Sequence, residues 1–505
     1  MKSRTTTCIT AMTFFAALAI PVRLAAQAEQ QSKQQRRYKL IDFGTFGGPS
    51  SYLEIDNGEN GATNQVVNNK GMVAGWGDTA TPDPHAPFCF NPYASDCFLV
   101  HAFQWRSGAT TDLGVLPGGD NSTAAWISDA GLIAGQAQNG SVDPLIPGFP
   151  EVRAVLWRGG KIIDLGTLGG NESSAFSVND RGQVVGVAVN TIPDPFSFLA
   201  TQLRAFLWEN GAMQDLGTLG GPEGWALFIN EHGQVAGLSL TNFTPNPTTG
   251  FPTQDPFLWE KGTMLDLGTL GGTVGSPTGL NNQGQVVGSS NLAGDTTFHP
   301  FLWMKTGGIQ DLGTFGGNFG AANAINEAGE VVGLATNTGD QAVFAFLWRH
   351  GVLGNLGALN GDDCSVAKHI NSSRQIVGLS FSCSGGPRKA SLWENGDPGI
   401  DLNTFVPRGS DLKLTEADFI NNRGEIAGAG VLPTGDTHAF LLIPCEGDDD
   451  GCQGENPASA AQNSPAPFTR SSANVTTGRL TPEMLAGLRA RFAGRFRGFG
   501  IWPRN

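Results

Sequence analysis

A seven-residue motif close to Asp-Leu-Gly-Thr-Leu-Gly-Gly recurs eight times in this 505-residue chain, and no other feature limits the fold so strongly. It starts at Asp42, Asp112, Asp164, Asp215, Asp266 and Asp311 and continues, degraded, at Asn355 and Asp401, with spacings of 70, 52, 51, 51, 45, 44 and 46 residues. Each copy is followed by a stretch resembling Ser-Ala-Phe-Ser-Val-Asn-Asp-Arg-Gly-Gln-Val-Val-Gly, which ends at Gly75, Gly135, Gly186, Gly237, Gly288, Gly333, Gly378 and Gly428. An Ala-Phe-Leu-Trp segment comes next, carrying Trp105, Trp157, Trp208, Trp259, Trp303, Trp348 and Trp393, with Leu441 in the eighth unit. Such periodicity means that stacked units bury each other's apolar faces.

Within a unit, residues 175–179 and 183–187 read as strands a and b, joined by a short turn ending in Gly182. Residues 204–208 and 213–216 read as strands c and d, joined through Asn210-Gly211. With 71 glycines and only 15% charged residues, the composition suits short strands and tight turns. Two hairpins per 45–50 residues make a four-stranded sheet, the unit of a β-propeller, whereas a β-solenoid coil repeats roughly every 20 to 30 residues. The expected fold is all-β, an eight-bladed propeller over residues 38–443. Residues 38–43 look like a strand d with no strand c before it, and residues 438–441 like a strand c with no strand d after it. The N-terminal strand is therefore expected to complete the last blade.

Repetition gives most repeated residues a structural reading. The Gly-Gly pair lets the chain turn into the next blade, the tryptophan fills space between sheets, and the recurring Asp and Asn bond turn backbones rather than ions. His101-Ala102-Phe103 and His438-Ala439-Phe440, with the variant Pro300-Phe301-Leu302-Trp303, resemble the HAF-repeat family of bacterial repeat proteins, whose expected location is extracellular. That resemblance implies no established reaction or ligand.

Residues 1–28 have the layout of a secretory signal peptide: Lys2 and Arg4, an apolar run of about 13 residues, and Ala26-Gln27-Ala28 as a cleavage site. The run is shorter than the roughly 20 residues that span a bilayer, so no transmembrane segment is expected in the mature chain. Residues 29–37 read as a linker. Losing Lys2, Arg4 and Arg23 with the signal takes the formal charge from -14 to -17, which disfavours nucleic acid as a partner. Six cysteines then remain, and their proximity pairs Cys89 with Cys97, Cys364 with Cys383, and Cys445 with Cys452. The middle pair is expected to face across the ladder of strands a and b. A secreted location (extracellular, cell surface or periplasm) follows. Residues 444–478 read as a disordered linker, and residues 479–505 as a basic amphipathic segment with a short helix, carrying Arg489, Arg491, Arg495 and Arg497. Three roles are open to it: docking on the propeller, touching a membrane surface, or binding another protein.

Function is expected where units depart from the repeat. The b-to-c connections are long only in the first four units, at 76–100, 136–153, 187–203 and 238–255, and they carry Phe90, Phe149, Phe196, Phe198, Phe243 and Phe251 as candidate ligand contacts. A polar cluster of Gln65, Asn323, Lys368 and Asp418 should line one side of the channel, with Lys368 and Asp418 as an ion pair or a binding site. Trp225 is a candidate for stacking on a sugar or for core packing. No catalytic motif, metal ligand set or cofactor fingerprint is present. The reading is a non-catalytic binding or scaffold propeller for a glycan or extracellular protein. Its rival is a secreted polysaccharide-acting enzyme using Asp418 and Glu416.

Overall fold

The computed structural model describes residues 37–445, apart from 54–63, 86–89, 91–96, 144–149, 195–196, 198–200, 247–251, 395, 397 and 408. The signal peptide, the linker at 446–478 and the basic segment lie outside these residues. Eight four-stranded antiparallel units follow one another around a ring. The third shows the pattern: strand a (Gly169–Val178), strand b (Val184–Pro193), strand c (Thr201–Glu209) and strand d (Ala212–Asp215) pair in order. Single parallel bridges, Gln254 with Val274 and Phe298 with Phe319, tie blades 4, 5 and 6 into one continuous sheet.

The ring closes as the unmatched end strands require. Tyr38–Asp42 pairs antiparallel with Thr437–Pro444, in a register that sets Tyr38 against Pro444 and Asp42 against Phe440. This supplies blade 8 with its outer strand and leaves no blade incomplete. Cores lie between blades rather than within them. At the closing boundary Phe419, Ala427, Ala439 and Leu441 of blade 8 meet Val73, Phe103 and Trp105 of blade 1. The repeated tryptophans are all under 9% exposed, and burying each aromatic ring contributes about 2–3 kcal/mol.

Two glycine positions show why the motif is spelled as it is. Gly169, first of a Gly-Gly pair, has φ +103°, and a Cβ on Gly170 would stand 2.8 Å from the Val189 carbonyl oxygen. In strand b a Cβ on Gly186 would fall 2.0 Å from the Ser174 carbonyl oxygen, beside a bulge between Ala175 and Ser177.

Cys364 and Cys383 form a disulfide with Cα atoms 5.3 Å apart. The expected ladder geometry needs correction: Cys364 pairs with Phe381, and Cys383, two residues further on, reaches back from the turn beyond strand b. Cys97 and Cys445 are also disulfide-bonded; Cys89 and Cys452 lie outside the described residues. The long b-to-c connections are likewise not mere loops. In blades 1 to 3 both strands run on past a shared irregularity, to the pairs Pro82 with Phe98, Val142 with Pro150, and Pro193 with Thr201. Three blades thus carry projecting two-stranded arms, and blade 4 carries a loop.

Candidate functional site

One face of the disc bears the a-to-b and c-to-d turns. Here the asparagine that follows strand a in seven of the eight units does two jobs. Asn179 Oδ1 accepts the N–H groups of Arg181 and Gln183, at 3.2 and 3.1 Å, which fixes its own turn, while Nδ2 donates to the Asn230 carbonyl of the next blade at 3.1 Å. Equivalent inter-blade bonds run from Asn230 to Asn281, Asn281 to Asn326, Asn326 to Asn371, Asn371 to Asn421, Asn421 to Asn68 and Asn68 to Ser128. Only Ser128, lacking an amide, fails to pass the pattern on. One residue further out, Asp129, Asp180, Glu231 and Glu327 accept backbone N–H groups from the preceding blade. The recurring Asn and Asp therefore bond backbones, as expected, and they do so across blade boundaries.

This face opens onto an axial cavity of about 220 Å³, lined among others by Gln65, Trp126, Phe228, Asn323, His369 and Phe419. Lys368 and Asp418 do not line it. Their side chains are buried, with Nζ 2.5 Å from Asp418 Oδ1 and 3.5 Å from Glu416 Oε2. One ammonium thus compensates both carboxylates, so Lys368 and Asp418 form a structural ion pair rather than a ligand site. The same contact corrects the pairing of Asp418 with Glu416 as free catalytic acids. Trp225 needs a similar correction: it is 5% exposed and packs with Val187, Val189, Leu203 and Leu238, so its ring face is unavailable to a sugar.

The opposite face carries the arms. An Asp-Pro or Asn-Pro step follows strand b in each of the four long connections, at Asp83, Asp143, Asp194 and Asn246, a recurrence visible in the sequence that insertion length alone does not reveal. Asp83 shows its use: the carboxylate accepts the N–H groups of His85 and Phe90, at 2.9 and 3.1 Å, and its own N–H donates to the Cys97 carbonyl. Asp143 accepts from Asn171 of blade 3. Beside it, burial and then the charges of Asp143 and Glu151 push Glu172 up to about 8, against the Val152 N–H that it accepts. At the next boundary burial, with Asp194 adding charge, pushes Glu223 up to about 7.

Of the phenylalanines expected here, Phe243 is 58% exposed and Phe90 is half-buried; Phe149, Phe196, Phe198 and Phe251 lie outside the described residues. Residues that the aromatic criterion missed are Val142 and Ile192, 63% and 53% exposed. They stand just before the Asp-Pro steps of blades 2 and 3, as Phe243 precedes that of blade 4.

At the rim of this face the His-Ala-Phe and Asp-Leu-Gly segments prove to be one device. His101 Nδ1 lies 2.8 Å from Asp112, and His299 and His438 lie 2.9 Å from Asp311 and Asp42. The same carboxylates accept the N–H of the glycine two residues on, as Asp112 does from Gly114 at 2.7 Å. Burial would raise these acids, but histidine and glycine together hold Asp42, Asp112 and Asp311 below the ordinary carboxylate range. In blade 4 Asp255 replaces the histidine, and burial plus the charge of Asp266 pushes it up to about 7.

No family model and no curated protein matches this chain. Among solved structures it is similar to the β-propeller domain of the trilobed protease from Pyrococcus furiosus, with 10% identity over 68% of this chain and 98% of that one and a TM-score of 0.41. It is also similar to the Pyrococcus horikoshii acylaminoacyl peptidase, at 10% identity, 72% and 56% coverage and a TM-score of 0.39. Porphyromonas gingivalis dipeptidyl peptidase 4 gives 9%, 78%, 59% and 0.41. The chain spans less than two thirds of the latter two. The likeness is one of architecture, which the strand pairing above establishes in its own right.

Proposed function

We propose that this chain is an exported, non-catalytic binding propeller that holds a glycan or an extracellular protein on its armed face. The observation that carries the reading is the placement of Val142, Ile192 and Phe243. These are three of the five most exposed large hydrophobics among the described residues, and they sit on the long b-to-c connections of three successive blades. A rigid ring bearing projections with exposed apolar side chains along one sector is the usual build of a recognition surface. The signal-like N-terminus, the disulfides and the resemblance to HAF-repeat proteins support export. The test is a V142S/I192S/F243S variant, expected to keep its melting temperature while losing about tenfold or more in affinity for ligands found on a glycan array or by pull-down. Unchanged binding profiles would overturn the reading.

The polysaccharide-enzyme alternative draws on one observation, the near-neutral Glu172 and Glu223 on this face, because raised carboxyl groups cluster at catalytic sites. Polysaccharide cleavage that disappears in E172Q or E223Q would favour it.

A further inference from the structure

The wall of the axial cavity on the hairpin face holds buried hydrogen-bond acceptors with no partner among the described residues. Asn323 is fully buried and lines the cavity. Its Nδ2 is committed to the Ala367 carbonyl at 2.8 Å, and its Oδ1 has no hydrogen-bond partner among the described residues. In the next blade His369 gives one ring N–H to the Ile420 carbonyl and leaves Nδ1 buried without a partner. Burial pushes this histidine down to about 3, so Nδ1 stays an acceptor at any physiological pH. Buried acceptors of this kind call for a donor from outside.

The surroundings say what sort of donor. Two aromatic pairs stand at the cavity wall, Trp126 with Phe228 at 6.3 Å and His369 with Phe419 at 4.0 Å between ring centroids. Glu231 and Glu327 stand at the cavity itself, and Asp180 and Asp129 lie close enough to Glu231 for their charges to act on it. Burial, and beyond it the charges of Asp180 and Asp129, raise Glu231 against the Asp180 N–H that it accepts and the opposing charge of Arg181. A planar cation with several N–H donors satisfies acceptors, rings and carboxylates together, and among side chains only guanidinium fits that description. The volume of about 220 Å³ is several times the roughly 30 Å³ of one liquid water.

We propose that the axial cavity binds an arginine side chain, and that the arginine comes from the chain's own C-terminal segment carrying Arg489, Arg491, Arg495 and Arg497. The chain leaves the propeller on this face: the last strand ends at Pro444, which packs against the turn at Gly424 beside the mouth. The 43 residues between Cys445 and Arg489 reach well over 100 Å when extended, more than enough to cross the face. Tethering also raises the local concentration of the segment to the millimolar range.

The test uses full-length chains and a labelled peptide of residues 479–505. The R489Q/R491Q/R495Q/R497Q chain, its cavity vacated, is expected to bind the peptide, and the wild-type chain to bind it at least about tenfold more weakly because its own segment competes. Placing D180N/E231Q in the four-glutamine chain keeps the oxygens that accept backbone N–H groups, so folding is retained while peptide affinity falls about fivefold or more. Raising salt should weaken binding further. Equal binding to the wild-type and four-glutamine chains, or no binding to the latter, overturns the proposal. The armed face is not involved, so either outcome leaves the reading of that face untouched.

Discussion

The two faces of the disc treat the same repeat differently. On the hairpin face one hydrogen-bond pattern crosses seven of the eight blade boundaries, and even the closing boundary obeys it through Asn421 and Asn68. On the opposite face only the rim is regular; beyond it blades 1 to 3 grow arms and blade 4 a long loop, with Glu172 and Glu223 raised by burial beside them, while blades 5 to 8 stay short. The contrast teaches where variation is tolerated. An asparagine whose amide serves both its own turn and its neighbour's backbone leaves no room for insertion, whereas a strand pair that runs out into solvent can lengthen without disturbing the ring.

The sharpest way to break the comparison is to open the ring. Deleting residues 38–43 removes strand d of blade 8 and buried Tyr38 and Phe43, and is expected to cost more than about 5 kcal/mol in denaturant unfolding. Next comes the belt: Asn230→Ala loses bonds to Gln234 and the Asn281 carbonyl and two accepted N–H groups, for an expected loss of about 2–3 kcal/mol by the same measurement.

The armed face should answer to pH instead. Glu172 has a folded pKa of about 8, above its unfolded value of 4.5. The folded state therefore holds a proton that the unfolded state has released, so the stability contribution is full below pH 4.5 and declines as pH rises toward 8. Wild-type melting temperature should fall across that window and fall less in E172Q. The His438–Asp42 couple gives a check of opposite origin: its hydrogen bond raises His438, so its contribution is present at low pH and lost as pH rises through the folded histidine pKa. The smallest effect is a gain. Ser128→Asn would supply the one missing amide of the belt and should stabilise the chain by about 1 kcal/mol; no gain would mean that the boundary between blades 2 and 3 is already satisfied.

Much of the fold was legible because its signals are local or periodic. Blade count, the closing strand and the partnership of Cys364 with Cys383 all follow from spacing and turn chemistry in a single unit. The candidate sites were less so. Gln65 and Asn323 were rightly placed at the channel, but strand position alone could not tell that Lys368 faces two carboxylates while Asn323 keeps a free oxygen. Phenylalanine content drew attention to the arms, yet Val142 and Ile192 proved as exposed as Phe243, because exposure depends on where a bulge sends each side chain.

The repeat by itself determined a closed ring of eight four-stranded blades, since every unit carries the same turns and the same unburied faces. Only the tertiary structure decided that the asparagines join neighbours into a belt, that histidine and aspartate from separate segments form one couple, and that the axial cavity presents acceptors. Belt partners are mostly 45 to 60 residues apart and become neighbours only once apolar faces pack blade on blade. Which polar atoms are left unpaired is settled by that packing, and no reading of one unit in isolation contains it.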